Sequence, residues 1–384
     1  MDGSLVAPDW PPLTLDELRP LFAQFPALGE PVRILTVSPR PFSAAGVVET
    51  SAGRVFVKRQ SLEVRDREGL CEEHRFMTYL REHGAPVPRV MVSEAGESAI
   101  ERGAWIYEIH ETPAGVDLYE EAISWTPFQS AAHAYSAGRL LAQLHLAAQG
   151  FAAPLRKPQP LVASFTIFAA VDPAAELASY LAVRPALANH QAVRDCAARA
   201  LEILAPFHAW LLPLLPTLAP LWTHNDLHAS NLFWSDAGSE ARATTAIDFG
   251  LADRTNAVHD IAHAIERNIV EWLVLVNDPA HPDDVPVHLD HLEALLDGYE
   301  SLRPLSAEEA EALLPMAALC HVEFALTEAD YFLGALHSEE KAKLAYDDYL
   351  VGHALWQHSV AGRGLLAALS RRARAHVQFK GSKE

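Results

Sequence analysis

Runs in which apolar and polar residues alternate open the chain and give way to helical periodicity. Residues 32–37 and 54–59 carry β-rich patterns, separated by the small residues Ser43, Ala44, Ala45 and Gly46, which predicts a hairpin or meander with a turn there. Leu70, Phe76, Met77 and Leu80 follow at helical spacing and stop at His83, Gly84, Ala85 and Pro86, which predicts a helix over 68–83. Residues 86–92 and 105–110 read as further strands. Beyond residue 112 the period lengthens to that of helices: 130–149, with Leu140, Leu141 and Leu144 on one face, then 185–212 and 286–380. A second β-region, at 221–223, 231–234 and 243–247, interrupts them, and the Pro/Ala stretch 150–160 is a connection. The expected class is α+β: a small antiparallel sheet with one main helix over residues 1–112, and a larger, mostly helical body over 113–384.

Composition narrows the partners. The 384 residues are 50% apolar and 21% charged, an ordinary globular balance long enough for two packed bodies. A net charge of −20 repels phosphate backbones and anionic lipid, so nucleic acid and membrane surfaces are disfavoured as partners. The charge is concentrated: residues 251–340 hold nineteen acids against Arg254, Arg267 and Arg303. Cys71, Cys196 and Cys320 are too dispersed for a disulfide framework or zinc knuckle, and the Met-Asp-Gly-Ser start lacks a signal peptide's basic and apolar regions. The most apolar stretch, 201–222, contains Glu202, His208 and prolines 206, 213, 216 and 220, so it is no membrane span. A soluble, cytoplasmic protein is expected.

The chemistry is concentrated in two short segments. His224-Asn225-Asp226-Leu227-His228-Ala229-Ser230-Asn231 lies between apolar strands, and Asp248-Phe249-Gly250 ends the next strand. One carboxylate to take a hydroxyl proton, plus an amide oxygen and a second carboxylate to hold Mg²⁺, is what phosphoryl transfer requires. The spacing His-x-Asp-x-x-x-x-Asn, followed by Asp-Phe-Gly, is that of a kinase catalytic loop. The segment resembles the aminoglycoside phosphotransferase and choline-kinase-like family, whose signature is His-Gly-Asp-Leu-His-x-x-Asn and whose fold is similar to that of protein kinases. The resemblance extends to Leu141-Ala-Gln-Leu-His145 and Val258-His-Asp260-Ile-Ala262 and covers roughly residues 30–340. It implies a bilobal kinase-like fold, ATP and Mg²⁺ as cofactors, Asp226 as catalytic base, Asn231 and Asp248 as metal ligands, and Asp260 as an acid bracing the loop.

An ATP kinase also needs a cation on the phosphates, aimed by a carboxylate. Lys58 ends an apolar strand and Glu73 lies in the following helix, with Glu72, one residue away, as the competing partner. The sparse glycines at 43–53 leave the backbone amides of Ser43, Ala44, Ala45 and Gly46, or a looser loop, to cover the phosphates, and the adenine is expected against the backbone near 108–112, which brings Glu108 and His110 to the nucleotide site. Asn225 replaces the usual glycine before the base, and Asn tolerates left-handed φ better than other non-glycine residues. His228 reads equally as a brace or a substrate contact.

The expected activity is transfer of the ATP γ-phosphoryl group to a hydroxyl of a small, cationic molecule of aminoglycoside, amino-alcohol or amino-acid type. A stress-response-type protein kinase and a silent nucleotide-binding scaffold are the alternatives. A His-rich hydrolase built on His224/His228 and His259/His263 is the rival chemistry, opposed by the missing third ligand. The acid-rich stretch reads either as a field for a cationic acceptor or as solvated helix faces such as Glu308, Glu309 and Glu311. Trp272, Phe324, Tyr331 and Phe332 read as a cover for a cationic head group or, at helical spacing, as core. The oligomeric state and the role of Arg371, Arg372 and Arg374 are not set by the sequence.

Overall fold

The structure is a computed structural model describing residues 8–381, so the Met-Asp-Gly-Ser start lies outside the described residues. Five strands, β1 (Pro31–Ile34), β2 (Ala44–Thr50), β3 (Gly53–Ser61), β4 (Ile100–Arg102) and β5 (Trp105–Glu111), form one antiparallel sheet in the order β1-β2-β3-β5-β4. Alternation along the strands gives the sheet two faces. Val55, Val57, Tyr107 and Ile109 bury against Leu18, Leu21, Phe22 and Phe25. On the other face Lys58 is paired across the ladder with Glu108 and Phe56 with His110, under the helix Arg67–Glu82.

Three elements differ from the sequence reading. Residues 44–50 form the strand β2 and not a turn. Their small side chains let the 35–37 segment lie close, since a Cβ on Gly46 would sit 2.2 Å from the Thr36 carbonyl oxygen. Residues 86–92 make only a single bridge, Val90 to His110, because Pro86 and Pro88 have no N–H to donate. The helix Leu15–Phe22 was not read from the pattern. It is short and contains Pro20, yet Thr14 and Glu17 form a capping box and Leu18, Leu21 and Phe22 are buried.

The helical body supplies the second lobe. Helices Ala131–Ala148 and Leu289–Glu300 approach so closely that a Cβ on Gly138 would meet the Leu295 carbonyl oxygen at 1.9 Å, and one on Gly298 the Tyr135 carbonyl oxygen at 1.9 Å. Against them lie two small ladders, β6 (Pro220–Thr223) with β9 (Asp253–Asn256), and β7 (Leu232–Trp234) with β8 (Ala243–Ala246). Beneath the ladders runs the helix Ala257–Ile269, every residue of which is buried. Among the described residues, Ala307–Ala335 is the one helical stretch long and apolar enough to cross a membrane, and 94% of its most apolar window is packed inside the molecule, as a core helix is. Glu308 and Glu309 begin that helix behind the Ser306 cap, where acids complement the exposed N–H groups. Arg372 belongs to the same packing, clamping Glu293, Asp297 and Glu300.

Long-range ties join the lobes. In the 150–160 connection Arg156 is buried and donates to the carbonyls of Gly69, Gly250 and Ala252 at 2.9, 3.0 and 3.0 Å. Ahead of the first helix, Trp10 Nε1 donates to the Tyr331 hydroxyl at 3.0 Å, and that hydroxyl donates to Asp9 at 2.9 Å. Lys341 pairs with the same Asp9.

Candidate active site

The two lobes enclose a cleft of about 720 Å³ whose lining includes Lys58, Asp226, Asn231 and Asp248. Asp226 stands in the loop after β6, and Asn231 Nδ2 donates to its main-chain oxygen at 2.9 Å and to Oδ2 at 3.2 Å. With its N–H₂ so engaged, Asn231 has its amide oxygen available. Asp248 follows β8 with φ of 58°, and Lys58 Nζ donates to Asp248 Oδ1 at 2.9 Å. Burial disfavours a charge on either group. Asp248 and Glu108 nevertheless outweigh that cost and raise the Lys58 pKa, while Lys58 holds Asp248 below the usual carboxylate range. The pair is therefore ionised at neutral pH.

Asn225 adopts φ of 62°, the left-handed conformation expected of a glycine substitute. Its amide also works as a brace: Nδ2 donates to Ala163 and Leu251 carbonyls at 3.0 and 3.3 Å, and Oδ1 accepts from Thr223 Oγ1 at 2.8 Å. Asp260 holds the loop from beneath, accepting from the His224 and Asn225 backbone N–H groups at 2.9 and 2.8 Å and from His145 Nε2 at 2.9 Å. His145 is in turn 2.7 Å from the Tyr299 hydroxyl. Phe249 is buried between His224 and Phe76, with ring centroids 4.6 and 6.0 Å away. His228 lines the cleft, bonds Ser230 at 2.8 Å and lies 3.6 Å from Asp226; burial lowers its pKa.

Four expected placements change. Glu73 is buried on the inward face of its helix, yet its nearest ion-pair partner is Arg156 at 4.0 Å, and it reaches Lys58 only through the longer-range field. Glu72 turns toward Arg75, 3.7 Å away, so it does not replace Glu73. Glu108, read as a nucleotide contact, lies beneath Lys58 at 3.9 Å and accepts from His74 and His110 at 2.9 and 2.6 Å. Burial would raise its pKa, but His110, His74 and Lys58 together outweigh burial and hold it well below the usual carboxylate range. Neither Glu108 nor His110 lines the cleft. The β5 backbone is committed to β3 on one side and, through Ile109 and Glu111, to residues 89–91 on the other. Ser43 lines the cleft and Gly46 does not, because the covering loop is the glycine-free 35–43 segment.

That loop brings in a residue the sequence reading missed. Arg40 lines the cleft and donates to the Ala122 and Tyr119 carbonyls of the opposite lobe at 2.7 and 3.2 Å. Its flanking prolines, Pro39 and Pro41, were the available signal of a stiff, functional loop. Arg156 and Arg267 were also missed, each buried and tied to the site by the tertiary fold. The His pairs proposed for a hydrolase do not assemble: His224 Nε2 is 3.0 Å from the Ile247 carbonyl, and among the described residues neither pair forms a three-ligand group. Of the nineteen acids in 251–340, Glu328 and Glu340 line the cleft. Phe324 and Phe332 line it too, whereas Trp272 is buried and stacks on His353 at 3.6 Å.

An antiparallel sheet over a helical lobe, with Asp226, Asn231 and Asp248 in the crevice between them, is the protein-kinase-like fold. The chain belongs to the phosphotransferase enzyme family, which it matches over residues 46–305. It is 28% identical over 318 residues to a homoserine kinase of Phenylobacterium zucineum, covering 82% of this chain and 84% of the relative. A homoserine kinase of Caulobacter vibrioides is 27% identical over 302 residues, 78% of this chain and 82% of the relative. Among solved structures, a microcompartment-associated aminopropanol kinase shares the fold at TM-score 0.59 and 18% identity, covering 91% of this chain and 99% of that one. An aminoglycoside phosphotransferase from Alicyclobacillus acidocaldarius does so at TM-score 0.52 and 16% identity, covering 95% and 98%. The chain is thus a small-molecule phosphotransferase that uses ATP and acts on a hydroxyl.

Proposed function

We propose that the protein transfers the ATP γ-phosphoryl group to the hydroxyl of a small acceptor carrying an amino group. The convergence of Lys58, Asp226, Asn231 and Asp248 on one cleft carries this reading. Asp226 takes the hydroxyl proton as the oxygen bonds to the γ-phosphorus, and the bond to the bridging oxygen breaks with its electron pair leaving on ADP. Lys58, pinned by Asp248 and Glu108, presents a fixed positive charge to the phosphates, and Glu73 adds to the field that keeps it protonated. The amide oxygen of Asn231 and the Asp248 carboxylate are the hard oxygen donors that suit Mg²⁺, which when bound neutralises phosphate charge. Residues 1–112 form the nucleotide lobe and 113–384 the catalytic lobe, with the adenine edge on the connection after Glu111, where the β5 ladder stops.

Three observations support a small acceptor. The cleft volume is in the range of small-molecule sites, roughly 300–1,000 Å³. Glu328, Glu340 and Asp348 put carboxyl groups on its lining. The relatives are named for homoserine, an amino-bearing hydroxyl compound. The test is a coupled ADP-release screen with Mg-ATP over homoserine, ethanolamine, choline, aminoglycosides and uncharged sugars. Release with an amino-bearing compound is the expected result, and turnover confined to sugars would overturn the acceptor class.

A further inference from the structure

The cleft is also lined by residues that the phosphate-handling groups leave unused. Arg267 lines it from the buried helix Ala257–Ile269 and is itself 0% exposed. The Phe324 ring covers the guanidinium at 3.9 Å, and Nη1 is held by the Tyr349 hydroxyl at 3.3 Å and by Glu266 at 3.5 Å. Nε and Nη2 have no hydrogen-bond partner, although Nε is 3.3 Å from Asp226 Oδ1. Those two nitrogens form the edge of a guanidinium that grips a carboxylate through parallel bonds. A buried donor left without an acceptor is costly, and with Nε facing Asp226 that donor is Nη2.

A second, independent group is also open. Glu328 stands one helical turn from Phe324, lines the same cleft and is 8% exposed. Its carboxylate makes no hydrogen bond and no ion pair within 4.0 Å among the described residues. A buried carboxylate without a hydrogen bond and a guanidinium Nη2 without an acceptor present opposite charges in one cleft. Both line the same cleft as Asp226.

We infer that the acceptor is a hydroxy α-amino acid, its carboxylate on the Nη2 side of Arg267 and its ammonium on Glu328. This rests on the reading of Asp226 as the base and deepens it. An amino alcohol leaves the Arg267 edge unmade, and a hydroxy acid leaves Glu328 unmade. Discrimination is large where a missing polar group strands a buried partner, of the order of 100-fold or more.

The test compares three compounds that share a hydroxyalkyl chain: L-homoserine, 3-aminopropan-1-ol, which lacks the carboxylate, and 4-hydroxybutyrate, which lacks the amine. Wild-type kcat/KM is expected to favour L-homoserine by about 100-fold over each. Glu328→Gln should erase most of the preference over 4-hydroxybutyrate and keep that over 3-aminopropan-1-ol; Arg267→Lys should do the reverse. Because Arg267 is buried, near-UV circular dichroism checks its variant's fold, and Glu328→Gln, which conserves shape, tests the proposal alone if that variant misfolds. Equal use of L-homoserine and 3-aminopropan-1-ol, or a Glu328→Gln effect equal on all three compounds, would overturn it. If wild type releases ADP with other amino-bearing hydroxyl compounds and calorimetry with Mg-ATP shows no L-homoserine binding, the subsite assignment falls and the phosphotransferase reading stands. If no compound in either panel is phosphorylated, the reading of Asp226 falls first and the assignment with it.

Discussion

Replacing Asp260 by Asn removes one charge and one acceptor from beneath the catalytic loop. Asp260 is 0% exposed and accepts three bonds: Oδ1 from Asn225 N–H at 2.8 Å, and Oδ2 from His224 N–H and His145 at 2.9 Å each. Burial opposes its charge, and the bonds from His145 and the loop outweigh burial and hold its pKa below the usual carboxylate range. Asn can preserve one oxygen. The better orientation keeps the two bonds at Oδ2 and turns N–H₂ toward the Asn225 N–H, so donor meets donor. Leaving that buried donor unsatisfied costs about 1–3 kcal/mol, and weakening the remaining charge-assisted bonds adds about 1–2 kcal/mol. The expected loss of roughly 2–5 kcal/mol is a large part of a typical stability of about 5–15 kcal/mol. Asp226 adjoins Asn225, so turnover should fall as well. Urea denaturation followed by fluorescence, with coupled ADP release, measures both. A midpoint shift equivalent to less than about 0.5 kcal/mol, the range of ordinary surface substitutions, together with wild-type turnover, would refute the bracing role.

Asn225→Gly keeps the left-handed backbone but forfeits the amide bonds to Ala163 and Leu251, so stability should drop by about 1–3 kcal/mol in the same denaturation assay, with the loop still able to turn over substrate. Gly298→Ala would place a Cβ 1.9 Å from the Tyr135 carbonyl oxygen, and the separation it forces between two helices should lower stability by about 1–3 kcal/mol, read as a fall in Tm. Burial raises the Glu328 pKa to about 7, with Arg267 opposing and Asp226, Glu266 and Asp9 reinforcing. The ionised form binds an ammonium group and is lost as pH falls, so kcat/KM for an amino-bearing acceptor should decline below about pH 7, and Glu328→Gln should flatten that limb.

Local chemistry was legible and cross-strand geometry was not. Asp226, Asn231 and Asp248 lie within twenty-three residues of one another, in loops whose flanking strands fix their spacing, so their convergence follows from chain order. The partner of Lys58 depends on the register that sets it opposite Glu108 and on the Asp248 loop 190 residues away, and no periodicity encodes either. Gly46 was misread because small residues mark turns and also mark strands where another backbone lies close. Arg267 gave no signal: a charged residue in a helix reads as exposed, and only the ring of Phe324 and the burial of the whole helix show otherwise. Of the nineteen acids in the acid-rich stretch, six are buried, the rest are exposed or half-buried, and Glu328 and Glu340 line the cleft.

The central claim is that Asp226 is the base in phosphoryl transfer. The direct test is single-turnover phosphorylation by Asp226→Asn, with Mg-ATP affinity measured alongside. The rate should fall by about 10²–10⁴-fold with nucleotide affinity unchanged. A variant that phosphorylates its acceptor at the wild-type rate would contradict it.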